Sequence, residues 1–154
     1  MVKRIVPSTS PPASSDSVRR RMQRIGTRDT KPELALRSEI HRMGLRYRID
    51  VAPVTCGRRR ADIVFSASRT AVFVDGCFWH RCPIHGTEPK SNSEWWSQKL
   101  AMTWERDRDT DRIYCKAGWK VIRVWEHEDP RRAAMRVARV VRRRLELRNN
   151  KILR

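Results

Sequence analysis

The stretch from residue 61 to residue 75, ADIVFSASRTAVFVD, decides the fold that the sequence predicts. ADIVF (61–65) and TAVFVD (70–75) are typical of two β-strands, and SASR (66–69) is the turn that joins them. The four consecutive apolar residues of AVFV are expected in a strand that is covered on both faces. A sheet with two covered faces needs helices on both sides, so this pair predicts the centre of an α/β domain.

The segment before the pair supplies one helix and one strand. In TRDTKPELALRSEIHRMG, Thr30 followed by Glu33 is a capping-box pattern and Gly44 is a natural stop, so we predict a helix at about residues 31–43. LRYRIDV (45–51) alternates between apolar and polar residues and predicts a strand. The capping box alone is enough to explain the carboxylate of Glu33.

The segment after the pair adds a loop and three further elements. Residues 76–92 lack periodicity and predict a long structured loop. SEWWSQKLAMTWERDRDTDRIYCKAGW (93–119) contains a long helix, WKVIRVWEH (119–127) predicts a strand and DPRRAAMRVARVVRRRLEL (129–147) predicts a last helix. The order of helix, three strands, long helix, strand and helix favours a small mixed β-sheet with helices on both sides, an α/β fold.

Composition indicates the kind of partner. The 154 residues carry a formal net charge of +18, from 35 Lys and Arg against 17 Asp and Glu. Such an excess predicts an anionic partner, with nucleic acid as the first candidate and an anionic membrane surface as the second. No run approaches the roughly 18 apolar residues of a membrane span, and the N-terminal segment lacks the apolar core of a secretory signal. We therefore predict a cytosolic protein with one main domain.

Two carboxylates stand at strand ends. Asp62 opens the apolar run IVF, where burial is costly unless the carboxylate is paired or bound to a metal. Asp75 ends the next strand, and adjacent strand ends can bring both groups to one Mg²⁺, a hard ion that takes carboxylate, water and phosphate oxygens. The alternative is that both side chains face solvent or form salt bridges with nearby arginines.

The loop sequence DGCFWHRCPIHG (75–86) is the strongest local signal. Cys77, Cys82 and His85 offer three zinc ligands, and a tetrahedral Zn²⁺ site needs a fourth. We choose His127 for it, with Cys115 and Cys56 as competitors. Unbound thiols that only pack are the alternative, but a long loop without secondary structure favours a metal that holds it together.

His80 lies between the supposed zinc ligands and is left over from that set. A neutral imidazole near a metal-bound phosphate can act as a general base towards water, with Asp107 or Asp109 on the long helix to orient it. On spacing alone it is equally acceptable that His80 binds zinc and His85 is a loop residue.

Aromatic and basic groups indicate contact with DNA. Phe78 and Trp79 are adjacent in the loop, and Trp96, with Leu100 and Trp104, has the spacing of a core stripe on the long helix. Adjacent aromatic rings on a basic protein also suit insertion between DNA bases, although packing in the core is the simpler explanation for each ring. The arginine runs at 19–21, 58–60 and 142–144 favour contacts with phosphates, the alternative being a solvated face.

The motifs TRDTKPEL, RRRADIVF, FVDGCFWHRCPIHG, EWWSQKL, ERDRDTDR and GWKVIRVWEHE occur together and in this order in the very-short-patch-repair (Vsr) DNA mismatch endonucleases, which this chain closely resembles. The match covers about residues 16–130. It leaves residues 1–15 as a predicted disordered tail and residues 131–154 as a basic C-terminal helix that packs on or extends the domain. The resemblance implies a restriction-endonuclease-like fold, catalytic Mg²⁺ and structural Zn²⁺.

The resemblance also implies a role for individual residues. Asp62 and the backbone carbonyl of Val74 would bind Mg²⁺, and His80 would be the general base. Where this chain has Asp75, the best-described family pattern has a histidine, so Asp75 is expected as a second acidic metal ligand. The remaining roles would be orientation of His80 by Asp107, support of the active site by Glu33, zinc binding by Cys77, Cys82, His85 and His127, and DNA intercalation by Phe78, Trp79 and Trp96.

The implied activity is Mg²⁺-dependent nicking of one DNA strand beside the thymine of a T·G mismatch that arises when 5-methylcytosine is deaminated. A restriction-type or defence endonuclease without a mismatch requirement and a non-catalytic zinc DNA-binding module are the alternatives. The expected partners are mismatched double-stranded DNA, other mismatch-repair proteins and a linked cytosine methyltransferase. We expect a monomer in the bacterial cytoplasm, associated with the nucleoid, because a mismatch lacks two-fold symmetry.

Overall fold

The computed structural model describes residues 11–13, 15–17, 19–20, 26, 28–54 and 59–152. Most of the predicted tail lies outside these residues, as do Cys56 and Arg58. The elements are α1 (Lys31–Arg42), β1 (Arg48–Val51), β2 (Ala61–Phe65), β3 (Thr70–Asp75), α2 (Ser93–Lys116), β4 (Lys120–Trp125) and α3 (Pro130–Ile152). Their order is the predicted one, and the prediction of an α/β fold with a small mixed sheet is confirmed.

The sheet has the strand order β1-β2-β3-β4. The pairs β1–β2 and β2–β3 are antiparallel, and β3 pairs in parallel with β4, from Thr70 opposite Lys120 to Asp75 opposite Trp125. Parallel neighbours need a long crossover connection, which here contains the loop after β3 and the whole of α2. The crossover brings the carboxyl ends of β3 and β4 to the same edge of the sheet.

Helices cover both faces of the sheet. On one face, Leu36 of α1 and Val137 of α3 pack with Val72 of β3 in the larger core cluster. On the other face, Tyr114 of α2 packs with Ala71 of β3 in a smaller cluster. The prediction that β3 is covered on both sides is therefore confirmed. No helix in the described part of the chain is long and apolar enough to cross a membrane.

Three local predictions differ from the structure. The strand predicted at 45–51 begins only at Arg48, because the end of α1 continues into a turn in which the N–H of Leu45 donates to the carbonyl of Ile40. The strand predicted at 119–127 is limited to Lys120–Trp125. Thr30 occupies the N-cap position, but its hydroxyl donates to the Glu33 carboxylate at 2.9 Å and caps no backbone N–H group.

The core stripe predicted for the long helix is also partly wrong. Leu100 is buried, but Trp104 is 46% exposed, and the guanidinium of Arg108 lies over its ring at 4.5 Å from the centroid. The buried residues of α2 are Leu100, Thr103, Thr110 and Tyr114. Residues spaced by four drift around a helix by about 40° per step, so the third position has left the buried face.

The described arginines of the predicted phosphate-binding runs make several contacts within the protein. Arg59 and Arg60 pair with Asp109 and Asp50 at 2.5 and 2.8 Å. Arg144 donates to the carbonyl oxygens of Ser68 and Gly118, and so ties α3 to the turns before β3 and β4. These guanidinium groups therefore have a structural use whether or not DNA is bound.

Candidate active site and metal cluster

The carboxylates of Asp62, Asp75 and Glu33 form an acidic centre at the end of the β2–β3 pairing. The pairing of these strands runs from Phe65 opposite Thr70 to Ile63 opposite Val72. At the next residue of β2, the carboxylate of Asp62 accepts a hydrogen bond from the backbone N–H of Val74 at 2.7 Å. The side chain of Asp62 and the backbone of Val74 are thus brought together at the edge of the sheet where β3 ends.

The carboxyl group of Asp62 has a raised pKa. Burial raises its pKa from the ordinary 3.8 to about 6, the Val74 N–H opposes this rise, and the negative charges of Glu33 and Asp75 add to it. Arg37 is the cationic neighbour that lowers the pKa. The position therefore has an excess of negative charge, which a divalent cation would neutralise, and a hard oxygen ligand set fits Mg²⁺.

Glu33 reaches this centre from the first turn of α1. Its buried carboxylate accepts hydrogen bonds from Arg37 at 2.9 Å and from the backbone N–H of Asp29 at 3.1 Å. Arg37 also contacts the carboxylate of Asp29. Glu33 is therefore held in place by its neighbours, and it acts on Asp62 through its charge.

His80 lies in the loop after β3 and meets a carboxylate of α2. Its Nδ1 is 2.5 Å from Oδ2 of Asp107 and 3.6 Å from Oδ1 of Asp75. Of the two orienting residues that the sequence offered, the structure brings Asp107 to the imidazole, while Asp109 pairs with Arg59. An ionised carboxylate only accepts hydrogen bonds, so Nδ1 donates to Asp107; in the neutral imidazole Nε2 is then the nitrogen that can accept a proton.

Arg123 of β4 is the residue that sequence reasoning missed. Its Nη1 donates to both oxygens of Asp75, at 2.9 and 3.0 Å, and its Nε and Nη2 contact Asp111 on α2. Its Nη2 also donates to the backbone carbonyl of Asp107 at 3.2 Å. Asp75 is fully buried; burial raises its pKa, while Arg123 and His80 oppose that rise. The alternative that the sequence left open, a salt bridge to an arginine, describes the surroundings of Asp75.

The four predicted zinc ligands come together in one cluster. The ligand atoms of Cys77, Cys82, His85 and His127 all lie within 4.8 Å of one another. Nδ1 of His127 is 3.0 Å from Sγ of Cys77 and 3.7 Å from Sγ of Cys82. With Zn–S bonds of about 2.3 Å and Zn–N bonds of about 2.0 Å, neighbouring ligand atoms of a tetrahedral site are separated by similar distances. The donor set therefore fits a zinc ion.

The geometry of this loop separates the two histidines that spacing left equivalent. His85 faces His127, with ring centroids 4.4 Å apart, whereas His80 turns to Asp107. Cys115 is exposed on α2 and is not a member of the cluster. Gly86 closes the turn, because a Cβ atom at this position would lie 2.5 Å from the carbonyl oxygen of Cys82.

Four aromatic rings form a contiguous group, two from the loop after β3 and two from the first turn of α2. Phe78 is 5.1 Å from Trp79 and 5.2 Å from Trp96 between ring centroids, and Trp95 adds a fourth ring at 4.8 Å from Trp96. All four side chains are partly exposed. The three predicted intercalating residues are thus in mutual contact, and two of them, Phe78 and Trp79, lie between Cys77 and His80 in sequence. Trp95 is an additional member that we did not predict for this role.

Together these groups form the arrangement expected of a hydrolytic nuclease. The buried carboxylate of Asp75 lies next to the His80–Asp107 pair, and the aromatic residues Phe78 and Trp79 directly precede His80 in a strongly basic protein. A non-catalytic zinc DNA-binding module would not need Asp62, Asp75 and His80 to lie together. The contacts of Asp62 with Val74 and of Asp75 with His80 bring them to one strand end.

The sequence is similar to a family of DNA endonucleases. The family model described as DNA mismatch endonuclease Vsr matches residues 14–85. The type II nicking enzyme V.NaeI of Lentzea aerocolonigenes is 49% identical over 113 residues, which are 71% of this chain and 68% of that enzyme. V.XorIIP of Xanthomonas oryzae is 39% identical over 70% of this chain and 77% of its own length. The DNA mismatch endonuclease Vsr of Escherichia coli is 37% identical over 68% and 66%. The chain belongs to the Vsr family of DNA endonucleases.

Proposed function

We propose that this protein nicks one strand of double-stranded DNA beside the thymine of a T·G mismatch, by Mg²⁺-dependent hydrolysis of a phosphodiester bond. The observation that carries the proposal is the contact of the His80–Asp107 pair with Asp75, one residue beyond the Val74 N–H that binds Asp62. A general base and a cation-attracting carboxylate therefore converge at the carboxyl end of β3.

Each group has a distinct part in this mechanism. Asp62 and the carbonyl of Val74 would hold Mg²⁺, which when bound polarises the scissile phosphate and stabilises charge on the leaving 3′ oxygen. Nε2 of His80 accepts a proton from the attacking water, and Asp107 fixes the imidazole through Nδ1. The products carry a 5′-phosphate. The expectation that Asp75 also binds Mg²⁺ stays a prediction, and its ion pair with Arg123 competes with it.

Mismatch recognition is assigned to the ring cluster of Phe78, Trp79 and Trp96. Insertion of rings between bases costs a few kcal/mol of unstacking, and a mismatched pair lowers that cost. Zn²⁺ bound by Cys77, Cys82, His85 and His127 would hold the loop rigid while the rings insert. The positive charge of the chain supports binding to the DNA backbone.

The partners and location follow from this activity and are part of the proposal. A T·G mismatch from deaminated 5-methylcytosine implies a linked cytosine methyltransferase and later mismatch-repair proteins. The enzyme would act as a monomer on the nucleoid in the bacterial cytoplasm.

The decisive experiment compares two duplexes of identical sequence, one with a T·G mismatch and one fully paired, with and without Mg²⁺. We expect a Mg²⁺-dependent nick in the mismatched duplex, and loss of nicking with retained DNA binding in Asp62→Ala. Glu105→Ala, which removes an exposed carboxylate of α2, is the matched control and should nick normally. Equal cutting of both duplexes would instead support a nicking enzyme without a mismatch requirement.

A further inference from the structure

The guanidinium of Arg123 is held in a dense hydrogen-bond network beside the proposed catalytic residues. Each of its three nitrogens has an acceptor: Nη1 binds both oxygens of Asp75, Nε binds Asp111, and Nη2 binds Asp111 and the carbonyl of Asp107. The ring of Phe73 lies beneath it, 5.0 Å from the guanidinium carbon to the centroid. An arginine in the middle of a strand is usually an outward polar residue, so a network of this kind needs an explanation.

The network encloses the imidazole of His80. Oδ2 of Asp107 accepts the hydrogen bond from Nδ1–H at 2.5 Å. Oδ1 of Asp75 is 3.6 Å from the same nitrogen. Two carboxylates therefore compete for one N–H group, and Arg123 holds the more distant one by both of its oxygens. If the guanidinium were absent, His80 would be the one cationic group left in an ion pair with the buried Asp75 among the described residues. Asp75 would then draw the imidazole away from Asp107.

The same contacts argue against Asp75 as a metal ligand. Mg²⁺ needs oxygens directed at the ion at about 2.0–2.1 Å in a near-octahedral shell. Both oxygens of Asp75 face Nη1 of Arg123, and a guanidinium at hydrogen-bond distance repels a cation on the same carboxylate. Asp62, by contrast, has the Val74 N–H and no ion pair among the described residues.

We infer that Arg123 is a positioning residue for the proposed reaction: it binds Asp75 as its counter-ion and, through Asp75 and Asp107, fixes the direction in which His80 presents Nε2. The effect of Arg123 on catalysis rests on the proposed function. In this inference Asp75 is the ion-pair partner of Arg123 and is not a Mg²⁺ ligand.

The test is a double-mutant cycle on Arg123→Met and Asp75→Asn. Removal of one member of a buried ion pair leaves an uncompensated charge, whereas neutralising both relieves it. We expect Arg123→Met to lower kcat by about 10–100-fold, because misplacing the general base loses only part of the roughly 10²–10⁴-fold that it contributes. KM for DNA and the Mg²⁺ concentration for half-maximal rate should stay within about twofold. The double variant should recover about tenfold in kcat relative to Arg123→Met.

Two further variants complete the design. Arg136→Met is the matched control, because Arg136 is an ion-paired arginine of α3 that contacts Glu128 and the carbonyl of Arg123 but no proposed catalytic group. Arg123→Lys keeps the charge but cannot span Asp75 and Asp111 with a planar fork, so it should lose kcat even if Arg123→Met fails to fold. Thermal unfolding of every variant separates loss of kcat from loss of structure.

A readout without catalysis distinguishes this inference from the proposed function. The sample is zinc-containing, magnesium-free protein with ¹⁵N-labelled histidine, and the Nδ1–H signal of His80 is assigned by its absence in His80→Gln. This signal should shift in Arg123→Met, return towards its position in the double variant and stay unchanged in Arg136→Met. A wild type that fails to nick DNA overturns the proposed function but leaves this result standing. An unshifted signal, or a more than tenfold rise in the Mg²⁺ requirement of Asp75→Asn alone, overturns the role of Arg123.

Discussion

Replacing Asp62 with asparagine should stabilise the protein while it abolishes nicking. The pKa of Asp62 rises from 3.8 to about 6 mainly because of burial, with the charges of Glu33 and Asp75 adding to the rise. At about 1.36 kcal/mol per pKa unit, the ionised carboxylate costs the folded state about 3 kcal/mol above pH 6. Asparagine is uncharged and keeps an oxygen that can accept the N–H of Val74.

The pH range of the effect follows from the direction of the shift. Between pH 4 and pH 6 the folded protein holds a proton on Asp62 that the unfolded chain releases, so the stability of the wild type falls as the pH rises through this range. The asparagine variant escapes this loss. Its melting temperature near neutral pH should exceed that of the wild type by about 6–12 °C, and the difference should vanish near pH 4.

Thermal unfolding in magnesium-free buffer measures this difference. Glu105→Gln serves as the control for the altered net charge, because Glu105 is exposed on α2. Addition of Mg²⁺ should raise the melting temperature of the wild type and leave that of Asp62→Asn unchanged, because only the wild type offers the ionised ligand. Equal melting temperatures at neutral pH would refute the reasoning, as would a stabilisation of the same size near pH 4.

Three further predictions concern the loop. Cys82→Ser should lose bound zinc and melt at a lower temperature; full zinc content by elemental analysis would contradict the assigned ligand set. Gly86→Ala should lower the free energy of unfolding by about 1–3 kcal/mol in urea titrations, because its Cβ would meet the carbonyl of Cys82 at 2.5 Å; an unchanged midpoint would show that the turn opens freely. Trp79→Ala should reduce nicking of the T·G duplex by at least about tenfold while general DNA binding persists; an unaltered mismatch preference would exclude the ring from recognition.

The fold was predictable because its signals are local. A strand covered on both faces is a continuous apolar run, and AVFV within β3 is such a run. Loop lengths and the alternation of helix and strand periods then fixed the order of the elements. Element ends were less predictable, since the turn after α1 depends on a backbone hydrogen bond from Leu45 that residue type does not encode.

The site was predictable only in part, because its contacts depend on the crossover. Spacing did not separate His80 from His85, since what separates them is the position of α2, which brings Asp107 to the first, and the path of the chain after β4, which brings His127 to the second. The signal for Arg123 was present in the sequence, as a charged residue that interrupts the apolar run of WKVIRVW. Its partners lie on β3 and α2, and a pattern read along one strand does not reveal them.

The residues of the candidate site are spread along the chain, so the site forms late in synthesis. Asp62, His80, Asp107 and Arg123 come from β2, the following loop, α2 and β4, and the parallel pairing of β4 with β3 completes the arrangement. A nascent chain that ends before β4 has the acidic strand and the histidine but lacks both the arginine and the fourth cluster ligand, His127. The complete set of these groups is therefore assembled only when the last strand of the sheet has been made and has paired with β3.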